Sequence, residues 1–144
     1  QRVYNHPSAR LLYVKTPEHR AKVGMLVLNN QGMLIGRVRS TTGHTAQVLL
    51  ANDKRSAIPV VVGEANSSAV AIGVGAEIEL IHIPIDARVR AGDQVRVPST
   101  TTEGLNYHAF GEVESVQATP DKTFLIAKIK HRNALKDIEW LVLI

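Results

Sequence analysis

Nucleophilic catalysis is the first chemistry to look for in a chain rich in short β signals, since a serine activated by histidine and a buried carboxylate is a common passenger of two-barrel β proteins. Gly92-Asp93 resembles the glycine-rich turn that carries such a nucleophile, but Gln94 stands where the serine would be needed. No histidine context matches either, so proteolysis is not the expected activity. Six histidines, at 6, 19, 44, 82, 108 and 131, show no close pairing and no His-Glu-x-x-His spacing that would hold a metal. His82 alternates with Ile78 and Leu80 and is expected inside a barrel wall, whereas His44, His108 and His131 fall at turns or loop edges and are expected in solvent. The carboxylate pairs Glu77/Glu79 and Glu112/Glu114 occupy alternate strand positions, where two acids share a side and usually form a solvated face. Ala71-Ile72-Gly73-Val74-Gly75 lacks the Gly-Lys ending of a phosphate loop and reads as a strand kinked by glycine. There is no cysteine, which removes thiolates, disulfides and cysteine-based metal sites. No catalytic, metal or cofactor-binding residue is assigned, and no cofactor is expected.

The elements that would carry such residues are short strands. Val23–Leu28, Met33–Arg39, Thr45–Ala51, Ser56–Val62, Ala69–Val74, Glu77–Ile83, Gln94–Val97, Ala109–Val116 and Thr123–Lys130 are apolar or alternating runs separated by turn residues such as Asn29-Asn30-Gln31-Gly32. That punctuation predicts an all-β barrel or sandwich. Adjacent Leu80-Ile81 breaks the alternation and predicts a bulge or two-sided burial. Helix is confined to short turns, one or two at Pro17–Lys22 behind Thr16 as N-cap, where a plain turn is the alternative, and a single one at Asn133–Asp137. Residues 1–8 are an unpatterned lead-in, and Pro98–His108 is a long Ser/Thr-rich loop with Leu105, Asn106 and Tyr107 at its far end. A tyrosine there is either tucked beneath the loop or a protein contact.

One pattern occurs twice. Gly24-x-x-Val27, then Gly36-x-Val38, then Val48-Leu49-Leu50 is matched by Gly92-x-x-Val95, Gly111-x-Val113 and Phe124-Leu125-Ile126. Duplication of a β unit explains this, as does chance among Gly/Val-rich strands. Gly24, Gly36, Gly92 and Gly111 are then barrel-building residues.

Charge divides the chain in the same sense. Residues 1–62 carry nine Lys/Arg against Glu18 and Asp53, a net +7, and residues 63–144 carry eight against eleven Asp/Glu, a net −3, which together make the overall +4. The change of sign coincides with the small polar stretch Gly63–Ser68, the expected boundary between halves. Opposite halves suit oriented association. A basic β-barrel that binds nucleic acid is the alternative reading, with Arg37 and Arg39 as bases, but there are only six aromatics and none alternates with them, so no nucleic acid is expected. No apolar run reaches the roughly 18 residues of a membrane helix. The chain starts at Gln1 rather than Met, and an anchoring or targeting segment is expected upstream.

Leu34-Ile35-Gly36-Arg37-Val38, Val48–Asp53, Ser56–Val60, Val89–Val95, Gly111-Glu112-Val113 and the closing Leu135–Leu143 occur in the order found in MreC, the bacterial rod shape-determining family, and the chain resembles its extracytoplasmic part over residues 9–144. The resemblance implies two small six-stranded antiparallel β-barrels of chymotrypsin-like topology without protease residues, one at 9–65, which the closing strand 138–144 joins, and a second at 66–137. It implies a non-enzymatic scaffold of cell-wall elongation that maintains rod shape, self-associates, and contacts a class B penicillin-binding protein and MreD. The location implied is the periplasmic side of a single-pass inner-membrane protein. The chain departs from the family at Pro98-Ser99-Thr100-Thr101-Thr102, where a glycine-rich Thr-Ser-Gly loop is usual, so Leu105, Asn106 and Tyr107 mark where partner specificity would differ.

Overall fold

The computed structural model describes residues 3–6, 11–16, 21–75, 77–131 and 141–143, with backbone only at 3–6, 101 and 141–143. Among these residues it contains twelve strands and no helix: β1 (Val3–His6), β2 (Leu11–Lys15), β3 (Leu26–Asn29), β4 (Leu34–Thr42), β5 (Thr45–Leu50), β6 (Ala57–Val62), β7 (Ser67–Gly73), β8 (Ile78–Pro84), β9 (Gln94–Thr101), β10 (Gly104–Ala118), β11 (Phe124–Lys130) and β12 (Leu141–Leu143). The two expected helical turns fall wholly or mostly outside the described residues.

The strands form a six-stranded antiparallel sheet, ordered β12-β3-β4-β5-β2-β1, and a closed barrel, ordered β6-β9-β10-β11-β8-β7. The two orders correspond position by position, with β12 in the place that β6 holds in the barrel. The sheet therefore takes one of its six strands from far along the chain, and Leu28 on β3 pairs with Val142. Residues 3–6, read above as an unpatterned lead-in, are instead paired to β2, with Val3 opposite Val14. The division between units also differs from the expected one. β6 pairs with β7 and β9 inside the barrel, so Gly63–Asn66 is a hairpin turn, Ser67 and Ser68 open β7, and the crossover between units is residues 51–56.

Alternation explains the cores. In β5 Ala46, Val48 and Leu50 point inward, and with Leu12, Val14, Val27, Ile35 and Val38 they form the core of the sheet. In the barrel Ile58, Val60, Val62, Leu80, Ile83, Val95, Val113 and Ile129 surround Phe110, with Ala69, Ala71 and Ala127 as small fillers. Each fully buried Val, Leu or Ile contributes about 1.5–3 kcal/mol. β3 is buried at all four positions, because Val27 faces the sheet core while Leu26 and Leu28, with Leu34, join the barrel core. The apolar run Leu26–Leu28 is what two-sided burial demands, and the fourth buried position, Asn29, accepts from the Gln31 and Met33 N–H groups through Oδ1.

The repeated pattern is a repeated geometry. Gly24 N–H donates to the Val38 carbonyl at 2.9 Å and Val38 N–H to the Met25 carbonyl at 2.8 Å, while Gly92 N–H donates to Val113 at 2.8 Å and Val113 N–H to Asp93 at 2.9 Å. Gly24 and Gly92 hold φ of 94° and 95°, a region that disfavours any side chain. Gly36 and Gly111 lie against a neighbouring strand: an added Cβ would overlap the Leu49 carbonyl oxygen in one copy and come within 2.6 Å of the Lys130 oxygen in the other. Just before each of these two glycines a bulge turns a large residue, Ile35 or Phe110, wholly into a core. The third strands correspond through Val48 and Ile129, which face Val38 and Val113, rather than through Val48 and Phe124 as the sequence spacing implies.

A further bulge lies between β8 and β11, where Ile83 pairs with Leu125 and Leu80 with Ala127. It reverses the side of His82, which adopts φ 62°, is exposed, and meets Phe124 with ring centroids 5.4 Å apart. The inward position expected of His82 is taken by Ile83.

Candidate partner-binding arm

The stretch 98–108 is a β-ribbon, not a loop. β9 and β10 pair continuously from Ala109/Arg96 outward to Gly104/Thr101, turning at Thr102-Glu103. β6 leaves β9 after Arg96, and β11 meets β10 only from Glu112 onward, so beyond the buried Val97 and Phe110 the stretches 98–101 and 104–108 stand out from the barrel as an arm. Threonine-rich strands suit this, because β-branched side chains favour extended backbone even where both faces meet water. Gly104, at φ 120°, lets the backbone re-enter the second strand.

Pairing sorts the three residues expected at a partner contact. Leu105 lies opposite Thr100 and Tyr107 opposite Pro98, on one face, while Asn106 lies opposite Ser99 on the other. Leu105 is 57% and Tyr107 39% exposed, and Asn106 is exposed as well. The arm thus carries its apolar residues outward on a single face.

Arg96 fixes the root of that face, a role that its sequence position does not reveal. Its guanidinium lies over the Tyr107 ring, 4.9 Å from the centroid, and Nη2 donates to the Gly63 carbonyl at 3.1 Å and to Asn66 Oδ1. A cation held over a ring and tied to a turn orients the ring without burying it. Two open clefts flank the root, one of about 520 Å³ lined by Gly63, Glu64, Asn66, Asp93, Gln94 and Arg96, and one of about 360 Å³ between Met33, Ala109, Glu112 and Lys130. The second lies at the seam of sheet and barrel.

On the arm's other face Ser99 Oγ and His108 Nε2 lie 2.8 Å apart. Acyl transfer needs in addition a buried carboxylate to orient the imidazole. The one buried carboxylate among the described residues is Asp53, and it is bound to Arg55 Nε and Nη2, each at 2.9 Å, in the crossover. Among the described residues no group of three or more His, Asp or Glu could hold a metal ion, and no helix is long and apolar enough to cross a membrane. Arg37, one of the bases of the nucleic-acid reading, has its Nε buried rather than offered to solvent.

The crossover is clamped. Asn52, Asp53 and Ser56 are buried, Gly75 N–H donates to the Asn52 carbonyl at 3.3 Å, and a Cβ on Gly73 would overlap the Asn52 and Asp53 backbone. His131, expected in solvent, is instead largely buried at the seam, where its Nε2 donates to the Leu34 carbonyl at 2.9 Å. At the barrel's far end Thr119 Oγ1 donates to Asp121 Oδ1 at 2.6 Å, and this bond, with those from Thr123, holds the Asp121 carboxyl below its usual range.

A family description, rod shape-determining protein MreC, barrel core, matches residues 8–144. Among solved structures, MreC from Pseudomonas aeruginosa is 24% identical, with a TM-score of 0.73 over 92% of this chain and 87% of that one. A complex between penicillin-binding protein PBP2 and MreC from Helicobacter pylori gives 23% identity and a TM-score of 0.68, covering 93% of this chain and 85% of that one. The major periplasmic domain of the cell shape-determining filament MreC gives 18% identity and a TM-score of 0.78, covering 98% and 90%. No curated protein sequence matches the chain.

Proposed function

From the premise that this chain belongs to the MreC family of rod shape-determining proteins, we propose that it is a periplasmic scaffold of cell-wall elongation that binds a class B penicillin-binding protein through the β9–β10 arm. The observation that carries the reading is the outward face of that arm, where Leu105 and Tyr107 are exposed side by side and Arg96 holds the tyrosine in place. Exposed aromatic and aliphatic side chains on a preorganised element are what interface anchors are made of. The H. pylori relative was solved in complex with PBP2, which supports a partner of that class here. The role is one of surface complementarity rather than turnover. MreD and further copies of the chain are additional partners within the same reading.

The test is binding of the 144-residue chain to the periplasmic part of the cognate elongation transpeptidase, measured by biolayer interferometry. Leu105→Ala with Tyr107→Ala should weaken binding at least tenfold, about 1.4 kcal/mol, with the melting temperature unchanged. Wild-type affinity in the double variant would place the contact elsewhere.

A further inference from the structure

His131 stands where sheet, barrel and arm meet. It follows β11, and its ring lies 4.7 Å from that of Phe110, tilted by 49°. Phe110 is the bulged, fully buried residue from which β10 leaves the barrel to become the arm. The bond from Nε2 to the Leu34 carbonyl crosses to the sheet, joining residues 97 apart in sequence. One imidazole thus touches the sheet and the barrel core at the root of the arm. With Nε2 donating, the neutral ring carries its lone pair at Nδ1, and that atom is buried with no hydrogen-bond partner among the described residues.

A second proton must therefore go to Nδ1. There it would create a charged donor with nothing to accept from it, inside an apolar seam. The charged and titratable side chains on the packed elements are Arg37 and Arg39 on β4, Tyr107, His108, Glu112 and Glu114 on β10, and Lys128 and Lys130 on β11, with Met33 uncharged beside Leu34. Burial lowers its pKa from the ordinary value, and the Leu34 carbonyl offsets part of that.

We propose that His131 is a proton-sensitive latch, which holds the sheet, the barrel and the root of the arm as one body when neutral and releases the seam when protonated. The consequence for partner binding rests on the arm reading given above; the latch itself does not. In the unfolded chain histidine titrates near 6.5, and in the folded chain it titrates lower. The unfolded or opened state therefore binds the extra proton first, so stability conferred by the latch is complete above about pH 6.5 and is lost as pH falls from there toward the folded value.

The experiment uses the 144-residue chain without any partner. Titration of His131 by ¹⁵N NMR should give a pKa below the ordinary histidine value of about 6.5. Melting from pH 8 to pH 5 should show a fall for the wild type that is smaller in His131→Gln, whose carboxamide still donates to Leu34 but does not titrate. Spin labels at Thr42 and Glu103 should give a distance distribution that broadens at pH 5.5 in the wild type and not in the glutamine variant. A folded-state pKa at or above about 6.5 would overturn the proposal, as would parallel melting curves or unchanged label distances. Should His131→Gln fail to fold, the wild-type titration and label distances decide alone. Failure of partner binding with an intact latch would count against the arm and not against His131.

Discussion

Replacing Gly36 by alanine adds one carbon where β4 and β5 are closest. That carbon would overlap the Leu49 carbonyl oxygen and lie 3.1 Å from Val48 Cγ1. Backbone cannot rotate away as a side chain can, so relief requires β4 and β5 to part across the register Gly36/Leu50 and Arg37/Leu49. Overpacking of this kind costs about 1–3 kcal/mol, and one weakened ladder bond about 1 kcal/mol more. Alanine returns roughly 0.5–1 kcal/mol by restricting the unfolded chain. The net loss is about 1–3.5 kcal/mol, and at roughly 3 °C per kcal/mol for a chain of this size the melting temperature should drop by about 3–10 °C. Gly111→Ala meets the Lys130 oxygen at 2.6 Å and nothing else inside 3.5 Å, so it should cost less, about 1–2 kcal/mol. Gly24→Ala has open space but φ 94°, which costs about 1 kcal/mol from backbone conformation alone. Thermal melts followed by circular dichroism would rank the three. A Gly36 variant melting within 2 °C of the wild type, or below the damage at Gly24, would refute close strand approach as the reason for glycine.

Two further outcomes follow from the seam and the arm. Gly73→Ala should lower stability by about 2–4 kcal/mol in urea denaturation, well beyond Gly75→Ala, because only the former pushes a carbon into the Asn52-Asp53 backbone. Arg96→Ala should speed amide exchange at 104–108 while leaving core amides such as Val113 unchanged, since the guanidinium ties Tyr107 to the 63–66 turn without lying in either core; equal protection in both proteins would remove Arg96 as the arm's support.

Burial patterns made the β class legible, and burial is also why parts of the architecture were not. Ala46, Val48 and Leu50 alternate because one face is wet, and they read as a strand at sight. The arm has two wet faces, so Pro98–His108 shows no alternation and its Ser/Thr content resembles a loop; threonine's preference for extended backbone was the available signal. Leu80-Ile81 announced a bulge, but period alone does not tell on which side His82 emerges after it. The polar run Gly63–Ser68 and the polar run Asn52–Ser56 look alike in sequence. Only the second buries polar residues, Asn52, Asp53 and Ser56, with the Asn52 carbonyl held by Gly75 and the Asp53 carboxylate by Arg55. The four glycines of the repeat each answer to a backbone demand, positive φ at Gly24 and Gly92 and close strand approach at Gly36 and Gly111. Arg96 and His131 were not legible, since what they do depends on turns and strands 30 or more residues distant.

The sixth strand of the sheet has a temporal meaning. Every strand of the barrel lies between residues 57 and 130, so the barrel can form as soon as that segment is available. The sheet cannot be completed until β12 arrives to pair with β3, across more than a hundred residues. Closing so long a loop as free chain is entropically unfavourable and slow. Prior collapse of the barrel shortens the path between the two strands, and the order of events becomes barrel first, sheet last. A chain cut short before residue 141 would then present a finished barrel beside a sheet with an open β3 edge, the kind of unpaired backbone that recruits other chains and that proteases find.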